Sequence, residues 1–241
     1  MTQKQAVAAE LAPTGVLRVA INYGNPVLAQ RGEHEQAPRG VSADLARSVA
    51  QELELSVQFH SYDAAQSVVE GVYRDDWDLA FLAIDPKRAE KILFTQAYVH
   101  IEGTYLVRAD SAYQGVDQLD QRGVCIAVGK GAAYDLFLTR TLKQADLVRA
   151  PTSAAAIDLF VEQELDAAAG VRQPLERYAR SRTGLRVLAD SFTVIRQAMA
   201  VPSGRTLAHA WLEAFIARQK SEGMVAQFLA DSGQANVSVP D

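Results

Sequence analysis

The feature of this sequence that most constrains its fold is a regular alternation of short apolar runs with stretches of helical spacing. Apolar runs of the strand type begin at Leu17, Val57 and Leu79, and the stretches between them repeat apolar residues every three or four positions. Such alternation is typical of mostly parallel sheets whose strands are joined by helices on both faces. The sequence therefore predicts an α/β fold.

A second series of the same kind begins after the polar stretch 108–113. Its predicted strands lie at 124–128, 147–150, 165–170 and 185–188, with helices between them, and an apolar run at 194–201 returns to the first series. We therefore expect two lobes and a tail. The predicted boundaries are 15–108 with 191–241 for lobe 1, 109–190 for lobe 2, and 1–14 for an N-terminal tail.

Composition excludes several classes of protein. The chain has 241 residues, 49% of them hydrophobic, which is enough to build a large core. A net charge of -5 and the lack of any basic cluster interleaved with aromatic residues argue against a nucleic-acid partner. No apolar stretch approaches the roughly 20 residues that span a bilayer, so we expect no direct membrane insertion.

The residues that could carry metal, thiol or triad chemistry are few and scattered. The single cysteine, Cys125, lies in an apolar run and is interpreted as a small buried side chain, so no internal disulfide is expected. The four histidines have neither metal-ligand spacing nor a nucleophile arrangement. They are His34, His60, His100 and His209. We therefore expect no metal, no cofactor and no catalytic residue.

The first ten residues lack the apolar core of an export signal. Two interpretations stay open at this point. Either a leader has been trimmed and the protein acts in the periplasm, or the chain as given is native and stays in the cytoplasm.

The run 81–95 brings one arginine from an apolar strand to the start of a predicted helix. Asp85 fits an N-cap, Pro86 fits the first helical position, and Arg88 follows in the first turn. Ligands of open α/β sheets bind at the carboxyl ends of the strands. Arg88 is therefore a candidate anchor for an acid, with a surface ion pair as its ordinary alternative.

A second candidate anchor is the helix start at 129–134, with the sequence GKGAAY. Free N–H groups and the positive end of the helix dipole attract an anion, which makes the amides of Gly131, Ala132 and Ala133 candidates. Lys130 could assist an anion there, although a flexible solvated lysine is the favoured interpretation.

With 15–22 upstream, 94–98 downstream and the segment GVSADLA at 40–46, the chain resembles the bacterial extracellular solute-binding proteins of the amino-acid type. The family's glycine-aromatic-aspartate-x-aspartate-leucine-alanine signature has Val41 and Ser42 at its aromatic and first aspartate, and it keeps Asp44. The resemblance implies a two-lobed type II periplasmic-binding-protein fold with a ligand cleft between the lobes and ligand-induced closure. It also implies a monomer that serves an ABC-type transporter, or a related sensor.

The resemblance also assigns roles to residues. Arg88 would hold a ligand carboxylate shared with the amides near Gly131, and the turn after the first strand would supply a covering aromatic and polar contacts. That turn contains Asn22, Tyr23 and Asn25, and Asn25-Pro26 is by itself a plain turn signal. Gln197 is polar within an apolar run and is a further candidate.

The departures from the family pattern concern the ligand. Amino-acid binders present hydroxyl groups before the arginine, where this chain has Phe81 and Ala83, and an acid for the α-ammonium, where this chain has Val171 and then Arg172. The resemblance therefore points to a small anionic metabolite, an organic acid or an amino-acid-related carboxylate. A standard amino-acid binder stays an alternative.

Enzymes on this scaffold form the second alternative. Cyclohexadienyl dehydratases resemble the same binding proteins and use an acid in the cleft, and no comparable acid stands at Val171. A lyase acting on a prephenate-like carboxylate is therefore the minority hypothesis, and turnover of substrate would distinguish it from a binder.

Overall fold

The structure is a computed structural model that describes residues 2–32 and 37–241. The chain forms two compact units. Unit 1 comprises Met1–His100 and Arg196–Asp241, and unit 2 comprises Ile101–Ile195.

The helices and strands alternate along most of the chain. In chain order they are α1 (Gln3–Leu11), β1 (Val16–Asn22), β2 (Gln30–Arg31), β3 (Pro38–Arg39), α2 (Val41–Leu53), β4 (Ser56–Tyr62), α3 (Ala65–Val72), β5 (Leu79–Ala83), β6 (Ile92–Arg108), β7 (Cys125–Gly129), α4 (Ala133–Thr141), β8 (Asp146–Ala150), α5 (Ser153–Glu162), β9 (Ala167–Val171), α6 (Arg172–Arg180), β10 (Leu185–Val187), β11 (Thr193–Pro202), α7 (Thr206–Ser221) and α8 (Met224–Asp231). Short 3₁₀ turns lie at Arg88–Glu90 and Val116–Leu119.

The sheet of unit 1 is built around β1. Strands β4, β1 and β5 are parallel neighbours in that order, and β11 pairs with β5 in the antiparallel direction. All five residues of β5 are buried, as expected for a strand covered on both faces. One face of this sheet packs a cluster that includes Val68, Trp77 and Ile92.

Unit 2 repeats this plan with its own strands. Strands β8, β7 and β9 are parallel neighbours, β6 pairs antiparallel with β9, and β10 pairs antiparallel with β6. Helices α5 and α6 cover one face and enclose a core that includes Leu106, Phe160 and Leu175. Both units are therefore mixed α/β structures with mainly parallel strands, as the alternation predicts.

The predicted helix after β5 is wrong. Arg88–Glu90 form only one 3₁₀ turn, and β6 begins at Ile92. Asp85 does not cap a helix; its Oδ1 accepts a hydrogen bond from the Lys87 N–H at 2.9 Å, as in an Asx turn. The apolar and aromatic run from Ile92 favours a strand, so too few residues are left for a helix.

Two segments differ from the expected organisation. The stretch 1–14, expected as a tail, contains α1, whose Val7 and Leu11 are fully buried. The chain passes between units at 100/101 and 195/196, inside β6 and β11, whereas the expected lobe boundaries were 108/109 and 190/191. The stretch 31–39 is polar and contains glycine and proline, which predicts a surface loop. Its described ends belong to the short strands β2 and β3, and residues 33–36, among them His34, lie outside the described residues.

The described helices were also compared with the length and hydropathy of membrane spans. None of those in residues 2–32 and 37–241 is long and apolar enough to cross a bilayer.

Candidate functional site

Arg88 lies just beyond the carboxyl end of β5 in unit 1. Its side chain is buried, with the residue only 4% exposed, and its Nη1 donates a hydrogen bond to the Ala83 carbonyl at 3.0 Å. Because β5 is fully buried and the Asx turn at Asp85 reverses the chain at once, the arginine folds back over the end of its own strand.

Burial changes the acidity of this guanidinium. Removal from water lowers the pKa of Arg88 to about 10, and the negative charge of Asp85 acts in the opposite direction. The side chain therefore stays cationic at neutral pH. Its planar N–H donors suit a carboxylate, and the carboxyl ends of strands are where ligands of α/β sheets bind.

Three further candidates share the strand pair beside Arg88. In the antiparallel register of β5 and β11, Gln197 lies opposite Ala83 and Met199 lies opposite Phe81, so these side chains share one face of the sheet. Gln197 is 5% exposed, and its amide has no hydrogen-bond partner within the described part of the chain.

Phe81 has a structural contact as well as its place beside Ala83. Its ring meets the buried Tyr98 ring edge to face, with centroids 6.1 Å apart. The Tyr98 hydroxyl lies 3.4 Å from Ser42 Oγ, and burial raises the pKa of Tyr98 above its ordinary value. Phe81 therefore belongs to the core of unit 1 and also borders the Arg88 end of β5.

The turn after β1 uses its polar side chains to shape itself. Asn22 Oδ1 accepts from the Gly24 N–H at 2.9 Å, and Asn25 Oδ1 accepts from the Val27 N–H at 3.3 Å. A Cβ atom on Gly24 would stand 2.5 Å from the Asp63 carbonyl oxygen, so this position requires glycine. The arginine at position 31 covers the Tyr23 ring at 4.4 Å. These contacts are those of an ordinary turn. They do not test whether Asn22, Tyr23 or Asn25 contacts a ligand.

At the start of α4 in unit 2, two of the three candidate amides donate hydrogen bonds within the chain. The Gly131 N–H donates to Asp135 Oδ2 at 2.8 Å, and the Ala132 N–H donates to the Gly129 carbonyl at 3.0 Å. The amides of Gly131 and Ala132 thus already donate hydrogen bonds to acceptors within the chain. The Ala133 N–H has no acceptor among the described residues, and Lys130 is exposed. Ala133 is therefore the predicted amide that best fits an incoming anion.

Asp135 is the acceptor of the Gly131 N–H, and the sequence analysis did not identify it. The residue is 3% exposed, and Arg149 pairs with its carboxylate at 3.0 Å. Gly131 adopts a positive φ of 68°, a backbone conformation that glycine reaches easily, which turns its N–H toward the carboxylate. An acid four residues after a glycine, at the start of a helix, is the sequence signal that could have revealed this contact.

Val171 and Arg172 lie where β9 passes into α6. Arg172 Nε donates to Glu102, its Nη1 to the Leu188 carbonyl at 2.9 Å, and its Nη2 to the carbonyls of residues 189 and 190 at 3.0 and 2.9 Å. The guanidinium therefore fastens a loop of unit 2. Val171, the N-cap of α6, lies opposite Gly103 of β6 and brings no charge.

The structure thus groups the candidates separately in each unit. In unit 1 the Arg88 end of β5 gathers Ala83, Phe81 and Gln197, and in unit 2 the carboxyl ends of β7 and β9 carry the starts of α4 and α6. Within residues 2–32 and 37–241, no group of three His, Cys, Asp or Glu side chains is placed to hold a metal ion.

Comparison with known families gave one match that spans most of the chain. The family model described as bacterial extracellular solute-binding proteins, family 3, matches residues 17–231. No curated protein matches the sequence.

Solved structures with similar coordinates share the fold at low sequence identity. An ancestral amino acid-binding protein, a precursor of cyclohexadienyl dehydratase, is 21% identical, with 94% of this chain and 98% of that chain covered and a TM-score of 0.78. An amino acid ABC transporter substrate-binding protein from Streptococcus pneumoniae, bound to L-arginine, is 19% identical, with 100% of both chains covered and a TM-score of 0.78. A histidine kinase sensor domain with similarity to periplasmic binding proteins is 22% identical, with 93% and 98% covered and a TM-score of 0.79. These likenesses confirm the predicted type II periplasmic-binding-protein fold class.

Proposed function

Because this chain belongs to family 3 of the bacterial extracellular solute-binding proteins, we propose that it binds a small carboxylate metabolite and releases it unchanged. The ligand is an organic acid or an amino-acid-related carboxylate. Arg88 is its anion anchor.

One observation carries this proposal, namely the buried cation of Arg88 at the carboxyl end of β5. A guanidinium presents planar N–H donors that match a carboxylate, and charged hydrogen bonds of this kind contribute roughly 1.5 to 3 kcal/mol each. Gln197 stands beside it with an amide that can add a further polar contact.

The same residues favour an acid over a standard amino acid. Position 171 offers a valine, and the charge of Arg172 is already paired with Glu102. An α-ammonium group would therefore find no free carboxylate at the end of β9. The second candidate, a standard amino-acid binder, is favoured by the Streptococcus pneumoniae relative that was solved with L-arginine.

The partner depends on the compartment in which the protein acts. In the periplasm or outside the cell, the protein would deliver its ligand to the membrane subunits of an ABC-type transporter, and in the cytoplasm it would act as a sensor or scavenger. It acts as a monomer without cofactor in either place. Fractionation of the native host with an antibody, combined with N-terminal sequencing, separates the two roles.

The anchor role of Arg88 is tested by thermal unfolding and calorimetry with a panel of carboxylic acids. We expect Arg88→Ala to weaken binding of every active acid by about tenfold to a hundredfold, because at least one charged hydrogen bond is lost. Arg196→Ala, an exposed arginine on β11, is the matched control and should bind like the wild type. If a folded Arg88→Ala protein is stabilised by the ligand as much as the wild type, the proposal is contradicted.

Binding without turnover is tested with the acid that stabilises the protein most. After prolonged incubation with purified protein, the acid should be recovered in full and unchanged. Conversion of that acid into a product would instead support a lyase on the same scaffold.

A further inference from the structure

Gln173, the second residue of α6, carries a buried amide oxygen that has no hydrogen-bond partner among the described residues. Buried acceptors are nearly always paired, and leaving one unpaired costs stability. An orphan acceptor in a binding protein is therefore a place to look for a ligand's donor group.

The packing of α6 does not account for this amide. The helix packs Leu175, Tyr178 and Ala179 against the core of unit 2. Gln173 lies about 200° around the helix from Leu175, so it is not on that stripe. The packing of α6 against the core of unit 2 therefore does not explain why the Gln173 amide oxygen is buried.

The neighbouring charged group cannot supply the missing donor. The Arg172 guanidinium is committed to Glu102 and to carbonyls of residues 188–190. Arg172 is next to Gln173 in the sequence, but its guanidinium donates its hydrogen bonds to other residues.

Gln173 lies on the helix that begins at the carboxyl end of β9, an edge where ligands of α/β sheets bind. Strands β7 and β9 are parallel, with Ala127 opposite Ala168, so the starts of α4 and α6 lie at the same edge of the sheet. A molecule whose acid group reaches the Ala133 amide can therefore present a second polar group to Gln173.

We propose that Gln173 is a specificity-determining residue whose amide oxygen accepts a hydrogen bond from a neutral donor on the bound acid. This inference rests on the proposed function and names its ligand class. The donor is a hydroxyl or an amide N–H. An ammonium group would need a free carboxylate beside it, and the carboxylate of Glu102 is already paired with Arg172. The preferred ligands are therefore 2-hydroxy acids or N-acylated amino acids.

The test uses matched acids that differ only at the α-carbon. The series are aspartate, malate and succinate; glutamate, 2-hydroxyglutarate and glutarate; and phenylalanine, phenyllactate and phenylpropionate. Calorimetry should show the best hydroxy acid binding at least about tenfold more tightly than both of its partners. An amino acid or an unsubstituted acid that binds as tightly would overturn the inference.

Two variants of Gln173 sharpen the test. Gln173→Leu should weaken the best hydroxy acid to the level of its unsubstituted partner, whose own affinity should not change. Gln173→Glu supplies the missing negative charge and should shift the preference toward the amino acid. Gln163→Leu, an exposed glutamine of the same unit, is the control and should bind like the wild type. A hydroxy-acid advantage that survives in Gln173→Leu would contradict the inference.

A structural role for the amide is distinguished without any ligand. Because the oxygen has no partner to lose, ligand-free Gln173→Leu should unfold at the same temperature as the wild type or at a higher one. A lower midpoint would show that the amide supports the fold and would overturn the inference. If no acid binds the wild type, the proposed function fails; if acids bind through Arg88 and ignore Gln173, only this inference fails.

Discussion

Asp78 is a fully buried carboxylate at the start of β5, and it joins elements far apart in the sequence. It accepts hydrogen bonds from the Arg18 N–H and Nε at 3.0 Å, and from Arg18 Nη2 and Arg205 Nη1 at 2.8 Å. Arg205 also donates to the Leu11 carbonyl at 2.7 Å. One acid thus connects β1, β5, α1 and the start of α7.

Removing this acid should cost far more than removing an exposed one. Asp78→Asn should lower the free energy of unfolding by about 3 to 5 kcal/mol, because it leaves arginines without their buried partner. Asp63→Asn, which breaks an exposed pair with Arg31, should cost less than about 1 kcal/mol. Urea unfolding at neutral pH measures both values, and equal effects of the two substitutions would contradict this account.

The same group gives a pH dependence. Burial raises the pKa of Asp78, but the hydrogen bonds from Arg18 and Arg205 outweigh it and hold the pKa below its ordinary value. A carboxyl group of this kind stabilises the fold above its unfolded pKa of about 3.9 and loses that contribution as the pH falls through its folded pKa. The stability gap between wild type and Asp78→Asn should therefore narrow below about pH 4.

Individual site residues were predictable only where their role is local. Arg88 follows a buried strand and a turn signal, so its position could be inferred from its neighbours in the chain. The contacts of Arg172 come from Glu102 and from residues 188–190, which no local pattern connects to it. The orphan oxygen of Gln173 depends on the burial of a single atom, which the sequence does not display.

At the scale of elements, the turn after β5 shows how a correct signal can predict the wrong structure. Asp85-Pro86 is a good helix start, and Asp85 does bind the following backbone. The apolar residues from Ile92 pair instead in β6, a strand of 17 residues. Strand pairing over that length outweighs a local helix signal, because tertiary contacts decide between the two.

Helix α1 was not predicted because its local sequence signal is weak. Its only large apolar residues are Val7 and Leu11, and both are buried. Its contribution is polar: Glu10 Oε1 accepts from the backbone N–H groups of Leu207 and Ala208, at 3.0 and 3.3 Å. An acid from α1 thus caps α7, whose own N-cap residue makes no side-chain cap.

This remote cap can be measured. Glu10→Ala should lower the free energy of unfolding by about 1 kcal/mol, in the range of other helix caps. Glu10→Gln keeps an acceptor oxygen and should recover part of that loss. Chemical unfolding of the three proteins checks the order, and an Ala variant as stable as the wild type would exclude the cap.

At the scale of the whole molecule, the sequence predicted two α/β series but placed their limits differently. The expected limits fell at the polar stretch after 108 and between the predicted strand 185–188 and the apolar run 194–201. The units of the structure divide inside β6 and β11, at 100/101 and 195/196. A strand that continues through such a point has no break in its apolar pattern, so the sequence carries no signal there.

Native mass spectrometry of the gently purified protein tests the central claim, that this chain holds a small acid through Arg88. We expect a retained molecule with a carboxyl group in the wild type and in Arg196→Ala, lost on denaturation and absent from Arg88→Ala. The protein would be loaded with the panel acid that stabilises it most if it emerges empty. Equal retention by Arg88→Ala, or a bound molecule without an acid group, would contradict that claim.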